Sequence, residues 1–248
     1  MTATATPRTT ATSPSGSSDW TRKYAFAGGL CYLITFAASI PAALVLLTPV
    51  LDDPGYIVGG GADAQVVWGC LLDVVNALAG IGTAVALFPV VKRVNEALAL
   101  GFVTSRMFEA AVIMIGVVSL LAVVTLRQDL AGTVAADPTA LTTTGAALVA
   151  VRDWTFLFGP GLCASLNAVL LGTLLYRSRL VPRILPAMGL VGAPLLLAAT
   201  VAILFGHIEQ FSPAASLATL PIAAWEFSVG CYLVVKGFRP SPVTAIDG

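Results

Sequence analysis

The chain has 248 residues and equal numbers of basic and acidic side chains, 13 of each, so its formal charge is zero; 57% of it is hydrophobic and only 10% is charged. An ordinary soluble domain carries roughly 25% charged residues, so this chain lacks the polar surface that a water-soluble fold needs. Nucleic acid is not expected as a partner either, because the cations are scattered in short segments between apolar runs and form no basic face.

Residues 1–19 hold Thr, Ser, Ala and Pro with almost no large apolar side chain, a composition that reads as a disordered tail. Six apolar runs follow: Tyr24 to Thr48, Ala64 to Val91, Leu98 to Leu126, Ala146 to Tyr176, Ala187 to Phe205 and Ala214 to Val235. Each meets or approaches the roughly 20 residues that cross a hydrocarbon layer of about 30 Å as a helix. Strands of a membrane barrel would alternate over about 10 residues, whereas these runs are continuous. Backbone groups in lipid must satisfy one another. The expected fold is therefore all-α, a six-transmembrane-helix bundle over residues 20–240 with a short C-terminal tail at 241–248.

Orientation follows from the Lys and Arg of the short loops. Arg8, Arg22 and Lys23 precede the first span, Lys92 and Arg93 join spans two and three, Arg177, Arg179 and Arg183 join four and five, and Lys236 and Arg239 follow six. The opposite loops carry mainly acids, among them Asp52, Asp53, Asp63, Asp129, Asp137 and Glu209. Both termini are expected in the cytoplasm. Within the loop from Arg127 to Gly145, Asp137-Pro138 forms a helix-start signal, so a surface helix is expected to run into span four.

The polar residues inside the spans carry the functional information. Glu226 has apolar or small residues on both sides in span six, which puts it near mid-membrane, where a charge costs on the order of 2.5–3.5 kcal/mol. Asp73 and Asn76 lie on one face of span two, continued by Gly80 and Thr83. Arg106 and Glu109 sit three apart in span three and can pair on one helix face. Arg152-Asp153-Trp154 is read as the outer opening of span four, with Asp153, Pro160, Cys163 and Asn167 on one stripe below it. Four acids (Asp73, Glu109, Asp153, Glu226) against two arginines (Arg106, Arg152) leave a charge of −2 if all are buried and ionised. A dry interior disfavours that, so protons or a cation must compensate, or some of these groups reach water.

Pro41, Gly159-Pro160-Gly161, Pro194 and Pro221 can open backbone carbonyls within the spans. The four cysteines, Cys31, Cys70, Cys163 and Cys231, show no metal-ligand spacing and are expected to act as small apolar side chains. His207 is the single histidine and falls in a loop, which removes haem ligation by a histidine pair and Ser–His catalysis. No nucleotide-binding fingerprint occurs, so no cofactor and no metal is expected.

Ser105-Arg-Met-Phe-Glu109-Ala, Arg152-Asp-Trp-Thr-Phe-Leu-Phe-Gly-Pro160-Gly, Tyr176-Arg-Ser-Arg-Leu-Val-Pro-Arg183 and Val235-Lys-Gly-Phe238 together resemble the bacterial integral-membrane family known as domain of unknown function 4386. The resemblance spans about Arg22 to Pro240 and implies a multi-pass protein of the bacterial plasma membrane. It implies no activity, cofactor or catalytic residue.

Three functions stay open at this point. One is a non-catalytic scaffold or sensor subunit working with the lipid bilayer, a second copy or a partner membrane protein. Another is a small proton- or cation-coupled carrier using Glu226, Asp73, Glu109 and Arg106, with Asn76 and Asn167 orienting ligand. The third is an intramembrane enzyme, which would need carboxylates converging on a cavity.

Overall fold

The computed structural model describes residues 16–59, 61–130 and 137–244, and among them it contains eight α-helices and no strand. They are α1 (Gly16–Pro41), α2 (Thr48–Leu51), α3 (Asp63–Val91), α4 (Glu96–Leu130), α5 (Pro138–Phe156), α6 (Ala164–Ser178), α7 (Ile184–Leu204) and α8 (Pro213–Val235). Six helical stretches are long and apolar enough to cross a membrane: Trp20–Leu46, Asp63–Val91, Glu96–Leu130, Pro138–Ser178, Ile184–Leu204 and Pro213–Val235. The all-α six-span bundle expected from hydropathy is the fold observed. Helix α1 starts at Gly16, inside the segment read as a tail; residues 1–15 and 245–248 of the two tails, and Gly60 of the first loop, lie outside the described residues.

Local chemistry sets the helix ends. Asp137 caps α5 by accepting a 2.9 Å hydrogen bond from the Thr139 amide, with Pro138 in the first turn, where its missing N–H costs nothing. The surface helix anticipated from Asp137-Pro138 is thus present. It runs unbroken past Arg152 and Trp154, so these residues lie well inside a helix and do not open one. Ser212 caps α8 in the same way, accepting from the Ala215 amide at 3.3 Å. At the other end of α8 the carbonyls of Leu233 and Val234 accept hydrogen bonds from Arg22, at 3.4 and 2.8 Å. A cation on those terminal carbonyls also complements the helix dipole.

Two proline sites widen the helix and two do not. Pro41 is followed by a π-helical turn at Ala42–Leu46, and Gly159-Pro160-Gly161 lies within a second, Leu157–Cys163, which joins α5 to α6. The Cys163 thiol donates to the Phe158 carbonyl at 3.2 Å, supplying a partner inside the widened turn. Pro194 and Pro221 sit within continuous α-helices, because neighbouring turns absorb the missing hydrogen bond.

The long helices close into a ring in the order α1, α3, α4, α5 with α6, α7, α8 and back to α1. Basic loop residues gather at one end, called here the basic end, where Lys92, Arg93, Arg177, Arg179, Arg183 and Lys236 lie. The outward faces carry Leu44, Leu78, Val118, Val191 and Leu217, all exposed apolar side chains suited to lipid. The inner faces carry an apolar core around Tyr32, Phe102, Leu171, Leu174 and Trp225.

Close approach of backbones in this ring depends on glycine. A Cβ on Gly29 of α1 would sit 2.7 Å from the Gly230 carbonyl and 2.9 Å from the Val234 amide of α8, and neither is a side chain that can swing away. Replacing Gly29 with Val should therefore force α1 from α8 and destabilise the bundle by about 1–3 kcal/mol. The measurement is a lowered Tm of detergent-purified protein, with Gly80→Ala, which meets open space, as the control that leaves Tm nearly unchanged.

Candidate functional site

Arg106 occupies the centre of the ring. It projects from α4 and is 4% exposed. Its Nη1 donates to Oε2 of Glu109 on the same helix at 3.0 Å, and its Nη2 donates to Oε1 of Glu226 on α8 at 2.6 Å. The pairing of Arg106 with Glu109 follows from their spacing of three residues; the bond to Glu226 crosses the bundle, since α4 and α8 are not neighbours in the ring. Asn167, fully buried on α6, donates its Nδ2 to the same Glu109 oxygen at 2.7 Å. Tyr32 of α1 places its ring 5.3 Å from the guanidinium carbon, and Phe102 stands one turn below Arg106 at 5.8 Å.

Four helices thus converge on one charged centre. Counted at 1.5 Å per residue from the basic end, Arg106, Glu226 and Asn167 each lie about 14–16 Å into the bundle, and Tyr32 about 18 Å. That depth is the middle of a hydrocarbon layer of about 30 Å. One arginine against two glutamates leaves the centre at −1 when all three are ionised. Three buried polar atoms around it have no hydrogen-bond partner: Tyr32 Oη, Asn167 Oδ1 and Arg106 Nε. The site is short of one positive charge and has spare hydrogen-bonding capacity.

The remaining residues singled out by sequence fall elsewhere. Asp73 and Asn76 share a face of α3 with Gly80 and Thr83, and the latter two are buried as the stripe requires. Asp73 and Asn76 themselves are half-buried, make no side-chain hydrogen bond among the described residues, and do not join the Arg106 centre. Arg152 is packed against its neighbours at the end of the bundle away from the basic one, with its guanidinium 4.5 Å from the Phe156 ring centre. Asp153 does not follow Asn167 into the centre. It lines a cavity of about 160 Å³ at the far end, with Val50, Asp53, Tyr56, Val123 and Val149. Cys70 and Cys163 are buried, Cys31 and Cys231 half-buried, and all four are free thiols. No group of three or more potential metal ligands occurs among the described residues.

A second network was not anticipated. At the end opposite the basic one, Arg127 donates to Asp63 Oδ2 at 2.8 Å and to the Gly61 carbonyl at 3.3 Å, while Gln128 donates to the same Asp63 oxygen at 3.1 Å. Tyr56 donates its hydroxyl to Asp63 Oδ1 at 2.7 Å, and its ring faces the Arg127 guanidinium at 5.6 Å. This clamp ties the loop before α3 to the end of α4. In sequence these were ordinary loop charges; the one available signal was that Arg127 is the lone cation beside several acids in its loop.

Burial, and then the hydrogen bond to Asp63, push the Tyr56 phenol above the ordinary tyrosine range. A raised value in the folded state means that the neutral phenol stabilises the clamp below the usual pKa of about 10, and that this contribution fades as pH climbs beyond it. The fall in Tm between neutral pH and strong alkali should therefore be smaller in Tyr56→Phe than in the wild type.

The central ion network yields a sharper contrast. Arg106→Gln strands two buried carboxylates and should cost about 3–5 kcal/mol of stability. Glu226→Gln keeps an oxygen for Arg106 to bond and should cost clearly less. Unfolding of both variants in detergent, followed by circular dichroism, measures the difference.

No curated protein and no solved structure matches the chain. One family model does, described as Domain of unknown function (DUF4386), and it matches residues 27–237. That range contains all six membrane-length helices apart from the first residues of the first, and every residue of the Arg106 centre. The chain belongs to the DUF4386 family.

Proposed function

We propose that this chain is a small proton-coupled carrier of the bacterial plasma membrane, with both termini in the cytoplasm and its proton held on Glu226. The observation behind this reading is the convergence of Glu226, Glu109 and Arg106 at mid-depth with one carboxylate in excess. Burying an uncompensated charge there is costly, and a proton is the smallest group that removes it.

The hydrogen bonds favour Glu226 as its holder. Glu109 Oε2 accepts from both Arg106 and Asn167, whereas Glu226 accepts from Arg106 alone and keeps its second oxygen to carry a proton. A cation bound by both glutamates fits less well, because the guanidinium already stands between them. The Arg106–Glu226 bond is also the only hydrogen bond that joins α4 to α8 among the described residues. Protonating Glu226 weakens that bond, so loading and unloading the proton loosens and tightens a crossing between opposite sides of the ring. Such a bistable crossing is what alternating access requires.

A scaffold or sensor subunit is the second reading, favoured by the position of Asp73 and Asn76 outside the centre and by the way the buried bonds tie four helices together. Infrared difference spectra of the protein in lipid nanodiscs separate the two. The carrier reading expects a protonated-carboxyl band that titrates and is lost in Glu226→Gln, together with a pH-dependent spacing between spin labels on α4 and α8. A spacing that does not respond to pH, with the same spectrum in Glu226→Gln, leaves the scaffold reading in its place.

A further inference from the structure

Arg152 has an environment unlike that of Arg106. It is equally buried, at 4% exposure, yet it takes part in no ion pair among the described residues, and its Nη1 is buried without a hydrogen-bond partner. The stem of the side chain lies along α4 at Gly116, where a Cβ would come 3.5 Å from Arg152 Cγ and 2.5 Å from Thr155 Oγ1. Gly116 therefore opens the notch that admits this edge of α5. The Phe156 ring supports the guanidinium from one side at 4.5 Å.

The hydroxyls nearby are already committed: Thr155 donates to the Arg152 carbonyl at 2.7 Å, and Ser119 donates to the Leu148 carbonyl. Asp73 and Cys70 of α3 and Asp153 of α5 face the guanidinium electrostatically from beyond contact distance. Gly116 is about 10 Å along α4 from Glu109, on the side away from the basic end.

A buried arginine with no bonded carboxylate leaves guanidinium donors open to an anion. The flat guanidinium fork matches a carboxylate in two-point contact better than it matches a spherical ion. Asp73 and Asp153 already bring two negative charges toward this one guanidinium, so a second charge on the ligand would meet repulsion with no second cation to offset it. We propose that Arg152 binds the carboxylate of a small aliphatic monocarboxylate, which is the cargo moved with the Glu226 proton. The transport half of this statement rests on the carrier reading above. The binding half does not.

The test is calorimetric titration of the full-length protein in phosphatidylcholine nanodiscs with sodium propionate, with sodium succinate and sodium chloride as competitors. Propionate should bind, and neither competitor should displace it at equal concentration. Arg152→Gln should weaken binding by about tenfold or more, a loss of about 1.4 kcal/mol. Asp73→Asn should tighten binding by about threefold, a gain that a merely structural role for Arg152 does not produce and that stays readable if Arg152→Gln fails to fold.

Glu226→Gln should still bind propionate but no longer take up a proton with it. If propionate binds the wild type and no proton moves, the carrier reading falls while the Arg152 site stands. Absence of propionate binding, equal competition by chloride, unchanged affinity in folded Arg152→Gln or weaker affinity in Asp73→Asn each overturns the site.

Discussion

A single guanidinium shared by two carboxylates in the middle of the bundle is the constraint on which the rest of this structure depends. The bonds from Arg106 to Glu109 and Glu226 are short, and both acids are largely withdrawn from solvent. In water such pairs contribute little. In a low-dielectric interior their separation strands charges at a cost of several kcal/mol, so the helices carrying them are held in register. That explains how two helices that do not pack against one another, α4 and α8, are nevertheless fixed in relation to each other. It also explains why Asn167 and Tyr32, from two further helices, turn polar groups toward a point otherwise surrounded by Leu, Phe and Trp.

The same arithmetic gives the centre its chemistry. A matched pair would be neutral; an arginine with two glutamates carries one negative charge in excess when all three are ionised. The contrast with Arg152, about two helical turns away along α4, lies in whether the nearby carboxylates are bonded to the guanidinium. Arg106 is bonded to two carboxylates and Arg152 to none, and α4 packs against both. Gly116 and the widened turn at Leu157–Cys163 are the local devices that make room for them. The glycine removes a side chain where α5 presses closest, and the π-helical turn next to Glu109 lets α5 and α6 present Arg152 and Asn167 from one continuous helical stretch.

At the two ends the helices are held by different means. Arg22 donates to the terminal carbonyls of α8 at the basic end, while Asp63, Arg127, Gln128 and Tyr56 clamp the opposite end. Between them the helices are held mainly by van der Waals packing and close glycine contacts such as Gly29 against Gly230, with Ser119 of α4 donating to the Leu148 carbonyl of α5.

Much of this was legible in the amino-acid order, and the reason is the membrane itself. Continuous apolar runs of about twenty residues admit one secondary structure in lipid, so the six spans followed from hydropathy alone. Short-range chemistry was legible too: Asp137-Pro138 starts a helix because a cap and a missing N–H act within one turn, and Arg106 pairs with Glu109 because three residues bring them to one face. The partner of that pair was not legible. Glu226 lies 120 residues further along, and periodicity tells which face a residue occupies without telling which helix stands opposite. For the same reason Asp73 and Asn76 looked like members of the centre and are not, and Asp63 and Arg127 looked like separate loop charges and are bonded across 64 residues. The chain by itself determined how many times it crosses and which polar groups it carries inside. Only the closure of the ring decided which of those groups meet, because the choice of neighbours rests on contacts between helices far apart in sequence.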